Sequence, residues 1–251
     1  MFAEQRQAKI VELIESGKLV KVKSLSDKFK VSTSTIRRDL DKLEKSGEIQ
    51  RIHGGALAKG GTKLEPSFVE KEKEYPQVKE SIAQKAAGLI NDGDTIILDA
   101  GTTTTQLAKL LDSHKDLTIV TNAINIALEL AQGPNQVLLT GGYLKKHTLA
   151  MVGPIADINL KKFHANKVFL GANGIDLRAG VTTPDLVEAN SKKIMIQMAK
   201  EVIVLADHSK FEETAFIKIA DLESVDKIIT DNALDNEVLN KFKNKVRIIT
   251  T

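Results

Sequence analysis

The chain has 251 residues, 42% hydrophobic and 27% charged, with a formal net charge of +3, which is long enough for a small module plus one well-cored domain. It has no cysteine, which excludes disulfides and thiolate metal sites and fits a reducing compartment. No apolar run approaches the roughly 20 residues that span a membrane, and no secretory leader is expected where the N-terminus reads as a charged amphipathic helix.

In chain order, Ala8, Ile10, Val11, Leu13 and Ile14 form an apolar stripe that stops at Gly17, a helix with a C-cap signal. Val20 to Lys23 reads as a short extended link, after which Ser24 is expected to cap a second helix with Leu25, Phe29 and Val31 facing inward. A turn at Val31 and Ser32 leads into a third helix. Ser32 is a good N-cap, and Ile36, Leu40 and Leu43 follow at helical spacing for burial. Ser34, Arg38 and Lys45 fall on the opposite face, which offers hydroxyls at the first turn and cations beyond it. Two helices joined by so short a turn make a helix-turn-helix, and that outer face suits a DNA major groove. Glu48 to His53 then alternates before Gly54, Gly55 and Ala56, the pattern of a hairpin or wing. Arg51 there is either an exposed strand cation or a phosphate or minor-groove contact.

Charge is unevenly spread. Residues 1–63 hold 14 Lys+Arg against 8 Asp+Glu, giving +6, whereas residues 64–251 hold 22 against 25, giving −3. A polyanion gains from such a concentration through counterion release. Lys59 to Lys63 reads as a polar, Gly-containing linker, and Glu65-Pro66-Ser67 restarts order. Ser67 to Ile90 is helical but interrupted at Pro76, with Val78, Ile82, Ala86 and Leu89 as its apolar positions. Its role is either coupling between the parts or simple packing.

Beyond Asn91 strands and helices alternate, which predicts an open, mainly parallel sheet with helices on both faces. The expected strands are Thr95–Leu98, Leu117–Val120, Gln136–Leu139, Lys167–Leu170, Glu201–Leu205, Lys227–Ile229 and Val246–Ile249. Ligands of such sheets gather at the carboxyl ends of the strands. The first strand is followed by Asp99-Ala100-Gly101 and then Thr102 to Thr105 before a helix, an arrangement that offers N–H groups and hydroxyls to an anion or merely caps the helix. It lacks the Gly-Lys-Ser/Thr ending of a Walker A loop. Thr121-Asn122 and Thr140-Gly141-Gly142 close the next two strands, and Gly171 to Asp176 and Ala206 to Phe211 close the fourth and fifth. Asp176 and Lys210 can hold sugar or phosphate oxygens, or cap a turn and sit solvated; Glu188 can meet the ligand or lie on a helix surface; Asp207 suits a turn cap, and His208 a loop position. His114, His147 and His164 are too scattered for a metal site, and none is expected.

These residues resemble a known family. Arg6, Ile10, Ile14, Ser32, the run Thr35-Ile36-Arg37-Arg38-Asp39-Leu40 and the run Arg51-Ile52-His53-Gly54-Gly55-Ala56 are similar to the winged helix-turn-helix of the DeoR family of bacterial repressors. The remainder resembles that family's effector domain, itself akin to the ribose-5-phosphate isomerase and sugar-phosphate deaminase fold. The matching pieces are Asp92-Gly93-Asp94, Asp99 with Gly101-Thr102-Thr103, Thr121-Asn122, Gly141-Gly142, Gly171 to Asp176 and Ser209-Lys210-Phe211. Within the family, Glu65-Pro66-Ser67, Thr182 to Asp185 and Ala215 to Leu222 look most like fructose operon repressors of Gram-positive bacteria. Two positions depart from the family pattern: Thr33 stands where relatives often carry an acid, and His208 where Ser or Gln is expected.

The resulting expectation is an α/β protein with three parts. Residues 1–57 form a winged helix-turn-helix, 58–75 a linker and the start of a coupling helix, and 76–251 a Rossmann-like effector domain. Together the residues and the resemblance assign DNA contact to Ser32, Thr33, Ser34, Thr35, Arg37, Arg38, Lys45, Arg51 and His53. They assign effector contact to Asp99, Gly101, Thr102, Thr103, Thr104, Thr121, Asn122, Gly141, Gly142, Gly171, Asp176, Glu188 and Lys210. The resemblance implies a cytoplasmic, nucleoid-associated homo-oligomeric repressor of double-stranded operator DNA, without cofactor, relieved by a sugar phosphate, fructose 1-phosphate in the fructose subgroup. The rival readings are an activator, or a sugar-phosphate isomerase or deaminase that uses Asp99, Asp176, Glu188 and Lys210 for proton transfer.

Overall fold

The computed structural model describes residues 3–15, 20–46, 49–52, 55–58 and 66–251. They fall into two compact units, 1–66 and 67–251.

In the first unit, α1 (Ala3–Glu15) is followed by β1 (Val20–Lys21), α2 (Val22–Phe29), α3 (Thr33–Lys45), β2 (Ile49–Ile52) and β3 (Gly55–Ala58). Ile10 and Ile14 of α1, Leu25 of α2, and Ile36, Leu40 and Leu43 of α3 bury against Ile49 and Ala56 of the wing, while Phe29 and Val31 pack at the margin. One helix therefore begins earlier than expected. Only Val20 and Lys21 are extended, because β1 pairs antiparallel with β3, Val20 opposite Ala56. The chain enters α2 at Val22, and Ser24 lies inside that helix, not at its cap. β3 also pairs with β2, Arg51 opposite Ala56, so the wing is a three-stranded sheet in the order β1-β3-β2. Gly17, Glu48, His53, Gly54, the segment Lys59 to Lys63 and Glu65 lie outside the described residues, as does the side chain of Arg51.

The second unit opens with α4 (Phe68–Lys73) and α5 (Pro76–Ala87). Then come β4 (Thr95–Leu98), α6 (Thr102–Ala108), β5 (Thr118–Thr121), α7 (Ile124–Leu130), β6 (Gln136–Leu139), β7 (Tyr143–Lys145), β8 (Ala150–Val152), α8 (Pro154–Leu160) and β9 (Ala165–Gly171). The chain finishes through β10 (Gly174–Asp176), β11 (Gly180–Thr183), α9 (Leu186–Gln197), β12 (Ala199–Leu205), β13 (Ile217–Ala220), β14 (Lys227–Thr230), α10 (Asn236–Lys243) and β15 (Arg247–Thr250).

All seven expected strands join one parallel sheet, in the order β15-β14-β12-β9-β4-β5-β6. Their side chains alternate between two cores, as strands buried on both faces must. Ile97, Val120, Val168, Leu170, Val204 and Ile228 face α8, α9 and α10 through Leu160, Met195 and Phe242. Ile96, Leu98, Ile119, Phe169, Ile203 and Ile229 face α5, α6 and α7 through Ile82, Leu107 and Ile126. The chain lays β4, β5 and β6 outward in one direction, then returns to place β9 on the other side of β4. The carboxyl ends of β4 and β9 therefore flank a topological switch point, where open α/β sheets bind ligands. Two small additions have no counterpart in the expected strands: the β7–β8 hairpin and the antiparallel β10-β11-β13 sheet.

Candidate functional site

The face of the first unit expected to meet DNA is built at the start of α3. Ser32 takes an extended conformation, and its Oγ accepts the N–H of Thr35 at 3.1 Å. The same Oγ shares hydrogen bonds with the Ser34 hydroxyl at 2.7 Å and the Thr35 hydroxyl at 2.9 Å. Ser32, Thr33, Ser34, Arg37, Arg38 and Lys45 are exposed and Thr35 is half-buried, whereas Ile36, Leu40 and Leu43 point into the core. Asp39, between Arg38 and Leu40, turns inward. Its Oδ2 accepts Nε of Arg6 at 2.6 Å and its Oδ1 accepts Nε2 of Gln7 at 2.9 Å, which fastens α3 to α1 and fixes which face looks out. Arg6 was legible only as a family position; the charge pairing that explains it is 33 residues long-range.

In the second unit the switch point is tightly wired. Asp99, directly after β4, is buried; its Oδ2 accepts the Gly171 N–H at 3.0 Å and the Nζ of Lys192 from α9. Lys192 also donates to the Gly171 carbonyl at 3.2 Å. Asn122 accepts the Ala100 N–H at 3.0 Å, and the Thr121 hydroxyl donates to the Leu98 carbonyl at 2.8 Å. Thr104 donates to the Asp99 carbonyl at 2.7 Å, and Thr105 to the Gly101 carbonyl, also at 2.7 Å. Asp99, Thr121, Asn122 and Thr104 thus shape the loop, and their polar atoms are largely committed to it. Thr102 and Thr103 differ: neither hydroxyl has a hydrogen-bond partner among the described residues, and both stand with backbone N–H groups in the first turn of α6, where helical partners are lacking.

Gly141 and Gly142 follow β6 with φ of +71° and +113°. A Cβ on Gly142 would lie 2.6 Å from the Val152 carbonyl oxygen, so close backbone approach by itself accounts for that glycine. Lys210 ends a single 3-10 turn after β12, which Asp207 caps by accepting the Ser209 N–H at 3.0 Å. Lys79 joins them from α5, within electrostatic reach of both. Burial pushes the Lys79 ammonium below the usual lysine range, Asp207 opposes that shift, and Lys210 adds to it. Nζ of Lys79 donates to the carbonyls of Lys71, at 2.5 Å, and Glu74. His208 occupies the neighbouring position, its Nδ1 2.8 Å from Asp231 Oδ2 and its ring edge-on to Tyr75 at 4.9 Å.

Asp176 and Glu188, both expected at the ligand, also hold parts of the scaffold. Asp176 sits in the β10–β11 turn, where its Oδ1 accepts the N–H groups of Arg178 and Ala179, both at 2.8 Å; those bonds hold its carboxyl below the usual range. Glu188 is buried and not on a helix surface: its Oε1 accepts the Thr148 hydroxyl at 2.7 Å and pairs with Lys145 Nζ at 2.9 Å. Lys145 also meets Asp185 at 2.8 Å. Burial alone would lower the Lys145 pKa, but the bonds to Asp185 and Glu188 raise it. An isomerase or deaminase needs carboxylates open to substrate for proton transfer; Asp99 and Glu188 are buried and paired internally, and Asp176 accepts two backbone N–H groups through one of its oxygens. Lys192 and Lys79 are the residues that composition and spacing did not single out. Lys79 had a signal, since with Ile82, Ala83 and Ala86 it completes a buried i, i+3, i+4, i+7 stripe.

Comparison with known proteins agrees with this division. The DeoR-like helix-turn-helix domain matches residues 6–60, and the DeoR C terminal sensor domain matches residues 74–232, more than half of the chain. The chain is 39% identical to an uncharacterized HTH-type transcriptional regulator, YulB, of Bacillus subtilis (strain 168), covering 98% of this chain and 95% of that one. It is 40% identical to an uncharacterized HTH-type transcriptional regulator, FruR, of the same strain, covering 92% of each. It is 37% identical to a putative aga operon transcriptional repressor of Escherichia coli O157:H7, covering 95% of this chain and 90% of that one. A reading helix fastened by Arg6 and Asp39, a sensor sheet with its switch point at Asp99 and Gly171, and full-length similarity to regulators lead to one assignment: the chain belongs to the DeoR family of helix-turn-helix transcriptional regulators.

Proposed function

We propose that the protein is a repressor of a sugar-utilisation operon and that a sugar phosphate, fructose 1-phosphate first among the candidates, releases it from DNA. The observation that carries this reading is the pair of uncommitted hydroxyls, Thr102 and Thr103, at the switch point of a sensor sheet in a chain that also holds a DNA-reading helix. In this reading the phosphate takes the first-turn N–H groups of α6 and those two hydroxyls. Lys210 supplies a cation, and the backbone at Gly101 and Gly171 lets the ligand approach closely. Support for fructose comes from the 40% identity to the regulator named FruR and from the segments Glu65-Pro66-Ser67 and Ala215 to Leu222.

On the DNA side, two copies of the protein each present the α3 face of Ser32, Thr33, Ser34, Thr35, Arg37, Arg38 and Lys45 to one operator half-site, and Arg51 and His53 contact the flanking DNA. Ligand binding then favours an arrangement less able to hold both half-sites. A full switch needs a differential ligand affinity of about 5 kcal/mol, a load that a charged group held by several N–H donors can bear. The test is a thermal-shift panel of fructose 1-phosphate, fructose 6-phosphate, glucose 6-phosphate and glycerol 3-phosphate, followed by operator gel shifts. The expected result is stabilisation of about 2.7 kcal/mol at 100 times the dissociation constant with loss of the shifted band. If no phosphosugar at millimolar concentration alters operator binding, the reading is wrong.

A further inference from the structure

We infer that the β7–β8 turn carries the occupancy of the effector crevice to the first residues of the sensor unit, with Thr148 and Lys145 as its positioning residues. The inference rests on the reading of the crevice given above and concerns how that site is regulated.

The observations form a continuous chain within the second unit. Glu188 and Lys192 stand four residues apart on α9 and are both buried, so they lie one above the other on one face of a twelve-residue helix. At one end of this face Lys192 holds Asp99 and the Gly171 carbonyl, the two strand ends that flank the switch point. At the other end Glu188 holds the Thr148 hydroxyl and Lys145. The turn containing Thr148 in turn accepts, through the His147 carbonyl, the N–H of Phe68 at 2.7 Å. Phe68 is the first residue of α4 and the second residue of the sensor unit, next to a Ser67 and Glu70 capping box. Between elements every link is a direct hydrogen bond or ion pair; within α9 and within the turn the link is the covalent chain itself.

The chemistry of the links makes them move together. An anion arriving beside Gly101 and Gly171 competes with Asp99 for the Lys192 ammonium, and re-pairing that cation displaces the α9 face on which Glu188 rides. A buried carboxylate left without partners is strongly disfavoured, so Glu188 takes Thr148 and Lys145 with it. The turn carries backbone strain: Leu149 is held at φ +60°, closed by its own N–H to the Lys145 carbonyl at 2.8 Å and by its carbonyl accepting the Ile124 N–H at 3.1 Å. Non-glycine residues kept in the left-handed region concentrate at switching segments.

The decisive variant is Thr148→Val, which keeps the shape of the side chain and removes the hydroxyl that Glu188 accepts. In the full-length protein, operator affinity without ligand and fructose 1-phosphate affinity without DNA should stay within about twofold of wild type. The coupling should be lost, so that half-release of operator needs at least tenfold more fructose 1-phosphate, and reciprocally the operator should no longer weaken ligand binding. Thr148→Ser should restore both, which a merely structural role for the methyl group would not predict, and Lys145→Met should reproduce the loss. Thr148→Val with wild-type coupling overturns the inference, as does a variant whose ligand affinity falls in step with its coupling. A wild-type protein that binds none of the four phosphosugars fails on the earlier reading instead, and takes this inference down with it.

Discussion

The ammonium of Lys192 and the carboxylate of Asp99 meet where both side chains are almost wholly buried, 5% and 2% exposed. Neither charge can turn to water, so each depends on the other, and Asp99 relies further on the Gly171 N–H. Removing one partner strands the other, which costs about 3–5 kcal/mol in comparable buried pairs. We expect Lys192→Met to lower the urea midpoint accordingly, and Lys192→Met combined with Asp99→Asn to lose less than the sum of the two single changes, because Asn keeps an oxygen for Gly171 without a buried charge. Strict additivity of the two would mean that the pair is not the coupled unit described here.

The two functions should separate by mutation. Arg38 is exposed on the reading face, and its truncation to alanine should weaken operator binding by about 1–3 kcal/mol if it reads a base, or lower the salt slope by about one if it meets a phosphate. The phosphosugar thermal shift should be unchanged. Thr103→Ala should do the reverse, abolishing the thermal shift while leaving operator affinity intact, since its hydroxyl takes no part in the hydrogen bonding that holds the loop together. Gel shifts and melting curves on the same two preparations decide the matter; parallel loss of both activities in either variant would refute the division.

What could be read in the sequence followed from how strongly local pattern constrains structure. The five inner strands are buried on both faces and so appear as short apolar runs, the two edge strands keep enough apolar residues to share that look, and each of the seven lies within two residues of its expected limits. α3 was legible because a capping serine precedes an apolar stripe. α2 was not, since a two-residue strand pairing with Ala56, 36 positions on, decides where that helix starts. The β7–β8 and β10–β11 hairpins are too short to show a period. Lys192 was hidden for a different reason. A lysine in a helix reads as surface, and only the three-dimensional arrival of Asp99 from 93 residues away turns it inward.

Asp39 offers a test of how the reading face is held. Its carboxylate satisfies Arg6 and Gln7 in a nearly dry setting, with 5% of the Asp39 side chain and 8% of the Arg6 side chain exposed. Asp39→Ala leaves the guanidinium buried and unpaired, at a cost of about 3–5 kcal/mol. That is a large share of the stability of a small unit. Hydrogen exchange should therefore quicken across α1 and α3, operator binding should fall sharply, and the strands of the second unit should keep their protection. Unchanged exchange in α1 would show that the apolar contacts of Ile10 and Ile14 suffice to dock it.

The end of the sheet opposite the crevice carries a pH-sensitive tie. Asp94, just before β4, accepts Lys167 Nζ of β9 at 2.6 Å and the Asn91 N–H at 2.9 Å, joining the two switch-point strands at their amino-terminal side. Burial by itself would raise the Asp94 pKa, but the bonds from Lys167 and Asn91 outweigh it and bring the folded value below the ordinary one. A carboxylate with a depressed folded pKa contributes stability that is complete above the unfolded value, about 3.9, and is lost as pH falls through the lower folded value. Asp94→Asn should therefore be less stable than wild type at pH 7, by about 1.5–3 kcal/mol for a hydrogen bond to a charged group. The gap between the two proteins should persist to about pH 5 and close progressively below pH 4. Chemical denaturation of both at pH 7, 5, 4 and 3 measures it, and a gap that stays constant into acid would assign the stabilisation to shape and hydrogen bonding that Asn fails to reproduce, with no part for the charge.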